Sequence, residues 1–377
     1  MSPATRRAPA GSDRILVIKL GALGDFIHAF HAFAAIRAHH PGARIEILTT
    51  APFAELAKAA PWFDDVHIDT RPPWWNLPEL RRTTKLLRGF DLVYDLQTSR
   101  RSGRYFRIAG RPPWSGIAPG CAFPHDNPAR DGMHTLERQR EQLQRAGVAA
   151  FPHPARDWLT ARGRLHGVAQ PFALLVPGSS KGMQCPKRWP IASYARLAQD
   201  LQRRGITPVV VGSRTEGMLA AAIREVCAGS VDLTGQTTIF DLAALGSKAA
   251  VVVGNDTGPV HLAAFVSAPT IALFSAGSVY AQAAPRGPVG EWVSTLCEPK
   301  LADLAFDRVA AAVGSALERS GRPIVRSGVG GGEPEPQQQE EPAADRERDD
   351  GAGGGDRPFL DHRRHEQAHA QRSRLAP

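Results

Sequence analysis

The sequence predicts an α/β protein made of two doubly wound parallel sheets that face each other across a cleft. Three observations predict it. Short apolar runs alternate with amphipathic helical patterns, at the spacing of parallel strands joined by crossover helices. The alternation occurs twice, on either side of a loop-rich zone at about residues 112–170 that is dense in Pro and Arg. In both halves an apolar run stops at a glycine turn bearing polar groups: "KLGALGD" in the first, "VPGSS" and "VVVGNDTG" in the second.

"RILVIKL" (Arg14–Leu20) reads as the first strand, and a helical pattern of Phe26, Ile27, Phe30, Phe33, Ala34 and Ile36 follows it. "ARIEILTT" (Ala43–Thr50), "VHID" (Val66–Asp69) and "DLVYDLQ" (Asp91–Gln97) are further strands, with the helix-prone "LPELRRTTKLLRG" before the last. The second half opens on the strand "FALLVPGSS" (Phe172–Ser180). Next come the amphipathic helix "PIASYARLAQDLQRRG" with its glycine stop and the strand "TPVVVGS" (Thr207–Ser213). "VDLTGQT" leads into the helix "IFDLAALGSKA"; the strand "AVVVGNDTG", the helix "VHLAAFVSA" and the strand "PTIALFS" complete the sheet. "LADLAFDRVAAAVGSALERSG" is a closing amphipathic helix. The result is two Rossmann-like halves, residues 13–165 and 166–298, then a helical segment 299–320. In such sheets ligands bind outside the carboxyl ends of the strands.

The chain has 377 residues, 42% of them hydrophobic, which suffices for two cores at ~150 residues per domain. Residues 1–12 and 321–377 read as disordered; from about Ser327 the tail is rich in Gly, Pro, Gln and charge and poor in large apolar residues. The formal net charge is +9 although the tail is acidic. That suits an anionic partner, and equally an arginine-rich composition with no such meaning. No nucleic-acid-binding motif accompanies the basicity. Cys121, Cys185, Cys227 and Cys297 show no CxxC spacing, which argues against a zinc site or disulfide framework and fits a reducing cytoplasm. No apolar run reaches the ~18 residues of a membrane span, and no signal-peptide core follows the basic N-terminus. The expectation is a cytoplasmic protein, soluble or peripheral on the inner membrane.

Three stretches could carry chemistry. Asn255-Asp256-Thr257-Gly258 places N–H groups and a hydroxyl at a helix N-terminus, which attracts phosphate. Gly258 lets an anion approach the backbone, and Pro259 suits the first helical turn. Plain helix capping by Asp or Thr explains the same residues. In "KLGALGD", Asp25 stands in the first helical turn facing the cleft, where it can accept a proton from a substrate hydroxyl; capping again is the alternative. His28 shares the face of Asp25, as a substrate contact or as a packed histidine. The turn is neither GxGxxG nor a Walker loop. In "VPGSSKGMQCPKRWP", Gly178, Ser179 and Ser180 can donate to phosphate, and Lys181, Lys187 and Arg188 add positive charge able to stabilise a departing diphosphate without a metal. A solvated basic loop is the plainer reading.

Taken in order, the strand ending GxLGD, then PGxSxxxxxxKRWP, LTGxTxxxxLAAL and NDTGPxHLAAxxxxPTIALF resemble glycosyltransferase family 9, the bacterial ADP-heptose–lipopolysaccharide heptosyltransferases. The resemblance spans about residues 14–318. It implies a GT-B fold, with acceptor bound mainly by the first half, nucleotide-sugar by the second, and the C-terminal helix packed back on the first. By motif, Asp25 matches the general base and Lys187 the lysine on the donor diphosphate. Ser179 and Ser180 match phosphate-side hydroxyls, and Asp256, Thr257 and Gly258 the donor loop, followed by His261. Glu216 matches the acid holding the ribose hydroxyls, and Thr234 and Gly235 the adenine side. The resemblance implies an inverting transfer with no metal and no cofactor beyond the ADP-sugar co-substrate. The loop after Phe274 departs from it, reading Ser275-Ala276-Gly277-Ser278 where family members carry Gly-Pro-Thr. For an anionic glycolipid acceptor, Gly24, His28, Arg100, Arg101 and Arg104 are the candidates; the arginines and aromatics of "RPPWWN" and "TSRRSGRYFR" would equally suit a membrane surface. A sibling using another nucleotide sugar, or a nucleotide-binding protein that has lost catalysis, are the alternatives; Asp25 and Lys187 both being present argues against the latter.

Overall fold

A computed structural model describes residues 13–73, 75–179, 188–275, 280–288 and 292–321. The two ends expected to be disordered, together with Ser180 and Lys187, lie outside these residues. The first sheet holds β1 (Arg14–Ile18), β2 (Arg44–Thr49), β3 (Asp65–Ile68), β4 (Leu92–Asp95), β5 (Trp114–Gly116) and β6 (Phe123–Pro124), all parallel, in the order β3-β2-β1-β4-β5-β6. The second holds β7 (Phe172–Val176), β8 (Thr207–Val210), β9 (Val231–Asp232), β10 (Val251–Asn255), β11 (Thr270–Ser275) and β12 (Val293–Glu298), also parallel, in the order β12-β11-β10-β7-β8-β9. Counted from its own first strand, each sheet runs 3-2-1-4-5-6, the doubly wound Rossmann order.

The connecting helices are α1 (Leu23–His28), α2 (Phe30–His39), α3 (Ala54–Ala59), α4 (Leu77–Leu87), α5 (Arg100–Ile108), α6 (Thr135–Arg145) and α7 (Asp157–Thr160) in the first half. The second half has α8 (Ile191–Arg203), α9 (Gly217–Val226), α10 (Ile239–Lys248), α11 (Gly258–Phe265), α12 (Tyr280–Ala283) and α13 (Phe306–Ser320). The single helical pattern expected from residue 26 is thus two helices that meet at Ala29. The zone at residues 112–170, expected to be loop, carries β5, β6 and the eleven-residue α6. Helix α6 escaped notice because it buries glutamines: Gln142 is sequestered and its Nε2 donates to the carbonyls of Asp95 (3.0 Å) and Ser115 (3.2 Å).

Helices α4 and α5 cover one face of the first sheet with Leu87, Tyr105 and Phe106. Its other face packs on α1, α2 and α6 through Phe26, Phe30, Phe33, Ile36 and Leu143, and this core continues into Ala243 of α10 and Leu262 and Phe265 of α11. The two halves therefore share a hydrophobic core. Helices α10 and α11 cover the near face of the second sheet with Leu245, Val260 and Ala263. The far face is covered by α8, α9 and α13. The expectation that the C-terminal helix packs back on the first half is corrected here. Val309, Val313, Ala316 and Leu317 of α13 bury against β10, β11 and α8, on the face turned away from the first half.

Candidate active site

In each sheet the strand order reverses beside the first strand, between β1 and β4 and between β7 and β10. Such switch points open a crevice at the carboxyl edge. Asp25 stands in the first turn of α1, just after β1. Gly178 and Ser179 follow β7, and Asp256, Thr257 and Gly258 follow β10. One cavity of about 840 Å³ joins the turns of both sheets. Gly24, Asp25 and His28 line it from the first half, and Ser179, Arg188, Glu216, Asp256, Thr257, Gly258 and His261 from the second.

The helices meet at their first turns because two side chains are missing. A Cβ on Gly258 would lie 2.6 Å from Leu23 Cβ, and one on Gly24 would lie 2.9 Å from His261 Cδ2. The free space at Gly258 is therefore filled by Leu23, and close packing between the halves explains this glycine. Around the contact, His28 packs edge-on to His261 (ring centroids 4.9 Å) and His134 (5.3 Å). His134 Nε2 lies 3.0 Å from the Ala284 carbonyl and Thr135 Oγ1 donates to that of Gln282 (3.1 Å), so the segment after β11 is tied to α6. Burial, with His261 and His134 alongside, holds the His28 imidazole well below its usual pKa, and the ring stands neutral.

On the second-half wall, Thr257 occupies the N-cap position of α11, yet its side chain does not cap the helix. Its hydroxyl donates to the Asn255 carbonyl at 3.1 Å. The positive end of the α11 dipole thus faces the cavity without a side-chain cap, and the Asp256 carboxylate stands beside it. Buried Asn255 holds this wall together: Oδ1 accepts from Trp189 N (3.1 Å) and the Tyr194 hydroxyl (3.2 Å), and Nδ2 donates to the carbonyls of Pro177 (2.9 Å) and Gly178 (3.1 Å). Glu216, after β8, accepts from the backbone N–H of Ser213 (2.7 Å) and Ser179 (3.1 Å) and from the Ser213 hydroxyl (2.9 Å). A Cβ on Gly178 would sit 1.9 Å from Glu216 Oε1, so the carboxylate occupies the space that this glycine leaves. The acid is thus fixed after the second strand of its sheet, at the border of the cavity.

The model of glycosyltransferase family 9 (heptosyltransferase) matches residues 80–294 of the chain. The chain belongs to glycosyltransferase family 9. It is 27% identical over 286 residues to lipopolysaccharide heptosyltransferase 1 of Pseudomonas aeruginosa, covering 69% of this chain and 78% of that protein. It is 24% identical over 289 residues to lipooligosaccharide heptosyltransferase 2 of Haemophilus ducreyi, covering 68% and 81%. Among solved structures, E. coli ADP-heptose LPS heptosyltransferase II superposes with a TM-score of 0.65 at 20% identity over 81% of this chain and 99% of that one. An E. coli heptosyltransferase with ADP gives 0.68 at 19% identity over 80% and 99%. The fold is the GT-B arrangement of these proteins, and the family makes the chain a glycosyltransferase.

In this family 9 glycosyltransferase the first-half wall also holds charges that sequence reasoning passed over. Lys19, at the end of β1, is buried and its Nζ donates to the Leu96 carbonyl at 3.3 Å. Burial lowers its pKa, while the nearby carboxylates of Asp25 and Asp95 oppose that shift. Asp95 at the end of β4 is fully buried; its Oδ1 accepts from Thr98 N (2.9 Å) and Gln97 N (3.1 Å), and burial pushes its pKa up to about 6. The available signal was a lysine and an aspartate inside strand runs, where ionised groups are rarely buried without partners. Five predicted residues fall away from the cavity wall. Thr234 and Gly235 form the turn after β9, where the Thr234 hydroxyl donates to Asp232 (2.7 Å) and Gly235 N to the Gly212 carbonyl (2.8 Å); Thr237 from the same loop lines the cavity instead. Arg101 donates to the Tyr105 hydroxyl (3.2 Å) on α5. Arg100 and Arg104 line a separate groove beside that helix. His261 Nε2 lies 3.3 Å from Asp256 Oδ1, so the imidazole and carboxylate orient one another.

Proposed function

We propose that the chain transfers heptose from ADP-heptose to an anionic glycolipid of the lipopolysaccharide core, in one inverting displacement without a metal. The observation that carries this reading is the single cavity shared by Asp25 and the N-terminus of α11. Glu216 accepts the ribose hydroxyls. The diphosphate lies against Ser179, Thr257 and the start of α11, with Arg188 adding charge; the family motif assigns Ser180 and Lys187, outside the described residues, to the same diphosphate. Asp25 takes the proton of the acceptor hydroxyl as its oxygen attacks the anomeric carbon on the face opposite the diphosphate. Gly24 and His28 border the acceptor on the first-half side. As the bond to the diphosphate breaks, its growing negative charge meets the positive helix end and the basic side chains, which stabilise the transition state more than the bound donor. The reading places the protein in the cytoplasm, at the inner membrane face where such an acceptor is built.

The test pairs two measurements. Asp25→Asn should lower turnover ~10²–10⁴-fold while ADP-heptose still protects the protein against thermal unfolding; unchanged turnover removes Asp25 as the base. Lys187→Ala should weaken donor protection or slow transfer. A panel of nucleotide sugars in the same assay assigns the donor. Full activity in a chelator is expected, and loss that added divalent ion restores would overturn the metal-free step.

A further inference from the structure

We infer that the α4–α5 face of the first half is a docking surface for an anionic phospholipid bilayer. This face lies on the side of the first sheet opposite the core shared with the second half. Along residues 77–88 the sequence carries Arg81, Arg82, Lys85 and Arg88 against the one acid Glu79, and all four cations are exposed. Along residues 100–111 it carries Arg100, Arg101, Arg104, Arg107 and Arg111 and no acid. The helices pack side by side, so the two stretches form one basic field. Arg100, Arg104, Arg107 and Arg111 recur at helical spacing and line a groove of about 520 Å³ whose other wall includes Ile117 and Pro119. That is room for a phosphate head group with an apolar step beside it.

A second observation selects a bilayer over a soluble polyanion. From the last residue of β3 to the first of α4, Ile68, Trp75 and Leu77 are 48%, 82% and 56% exposed. An exposed tryptophan in one stretch of chain with two exposed aliphatic residues, leading into a basic helix, is the composition that enters the head-group region of a membrane. The segment is anchored. Tyr105 of α5 donates to Asp69 Oδ2 (2.8 Å), Arg71 N donates to Asp69 Oδ1 (2.8 Å), and Arg71 Nη2 donates to the Leu20 carbonyl (2.9 Å) in the turn that leads to Asp25. The apolar tip therefore sits at the carboxyl edge of the first sheet, the edge that also carries Asp25. The inference deepens the proposed placement at the inner membrane face, and vesicle binding tests it apart from transfer because none of these apolar or α4 residues lines the cavity.

Flotation of the full chain with vesicles tests it. Phosphatidylcholine vesicles containing phosphatidylglycerol should carry the protein upward, pure phosphatidylcholine vesicles should not, and added salt should release it. Reversing Arg81, Arg82 and Lys85 to Glu should lower the partition about a hundredfold or more, since each cation near an anionic surface contributes on the order of fivefold. Trp75→Ala should lower it about tenfold by removing inserted apolar area. Both variants should keep the wild-type melting temperature and, on a soluble lipid-free acceptor, the wild-type rate. Equal partition onto neutral vesicles, or variants that float like the wild type, would overturn the assignment. Binding to polyphosphate with no vesicle binding would overturn it in favour of a soluble polyanion. A dimer that Trp75→Ala dissolves would make the face a contact between copies.

Discussion

The two halves fold to the same strand order and place a turn at the same switch point, yet the turns do opposite electrostatic work. In the first half, a carboxylate stands one residue past Gly24, and a lysine and a second carboxylate are buried beneath it. In the second, the corresponding helix starts with an N-cap that no side chain fills, Asp256 beside it is turned to the ring of His261, and Glu216 is tied by backbone N–H groups to one side. On the proposed function, one turn takes a proton and the other receives an anion. The topology supplies the crevice, and the few residues after each strand choose the sign of charge within it. The halves also differ in their outer layers, since the first presents a basic helical face while α8, α9 and α13 cover the second.

The largest effect should come from exchanging roles across the cavity. Asp25→Asn is expected to act on turnover and spare donor binding, while Glu216→Gln should weaken ADP-sugar protection ~10–100-fold, the worth of a charged hydrogen bond, with a smaller effect on turnover at saturating donor. If both variants changed the same parameter, the division of labour would fail. Next, Asn255→Ala leaves the Trp189 N–H and the carbonyls of Pro177 and Gly178 buried without their partner and should cost about 3 kcal/mol in denaturant unfolding. A loss below ~1 kcal/mol would mean the second-half wall is held by other contacts.

The buried carboxylate of the first half gives a pH signature that the second lacks. Burial raises Asp95 to about 6 against an ordinary ~3.9. Between these values the unfolded chain releases the proton while the folded chain keeps it, so stability falls as pH rises through that window, by about 2–3 kcal/mol. Asp95→Asn cannot ionise and should lose that much less stability from about pH 4 to about pH 6; parallel profiles for the two proteins would show that Asp95 titrates normally. The smallest effect concerns the contact between halves. Gly24→Ala should gain ~1 kcal/mol of helix propensity but lose more to the clash with His261, for a net loss of about 1 kcal/mol. In a His261→Ala background the sign should reverse, and an unchanged penalty would place the strain elsewhere.

Much of this fold was legible because parallel strands buried on both faces read as plain apolar runs, as in "RILVIKL" and "AVVVG". The turns carrying Asp25, Ser179 and Asp256 were legible because Gly, Ser, Asp and Thr after an apolar run mark the passage from a strand to a helix, whether they cap it or bind a ligand. Helix α6 was not, since its buried face is made of Gln139, Gln142 and Leu143 rather than an apolar stripe. Helix α5 was hidden by its arginines, although the Ser99–Ser102 capping box marks its start. Thr234 and Gly235 show the limit of motif matching, because the motif covers the whole loop while only Thr237 of it reaches the cavity wall.

By itself, the sequence determined the strand-and-helix alternation, the two switch-point turns and the type of charge each carries, because these follow from local periodicity and backbone propensity. Only the tertiary structure decided that Gly24 and Gly258 face side chains of the opposite half, that α13 covers the far face of its own sheet, and that Lys19 and Asp95 are buried beneath the Asp25 turn. Those outcomes depend on which surfaces residues distant in sequence come to bury. Local pattern cannot report that, because the free energy of such contacts arises only after both sheets have formed and met.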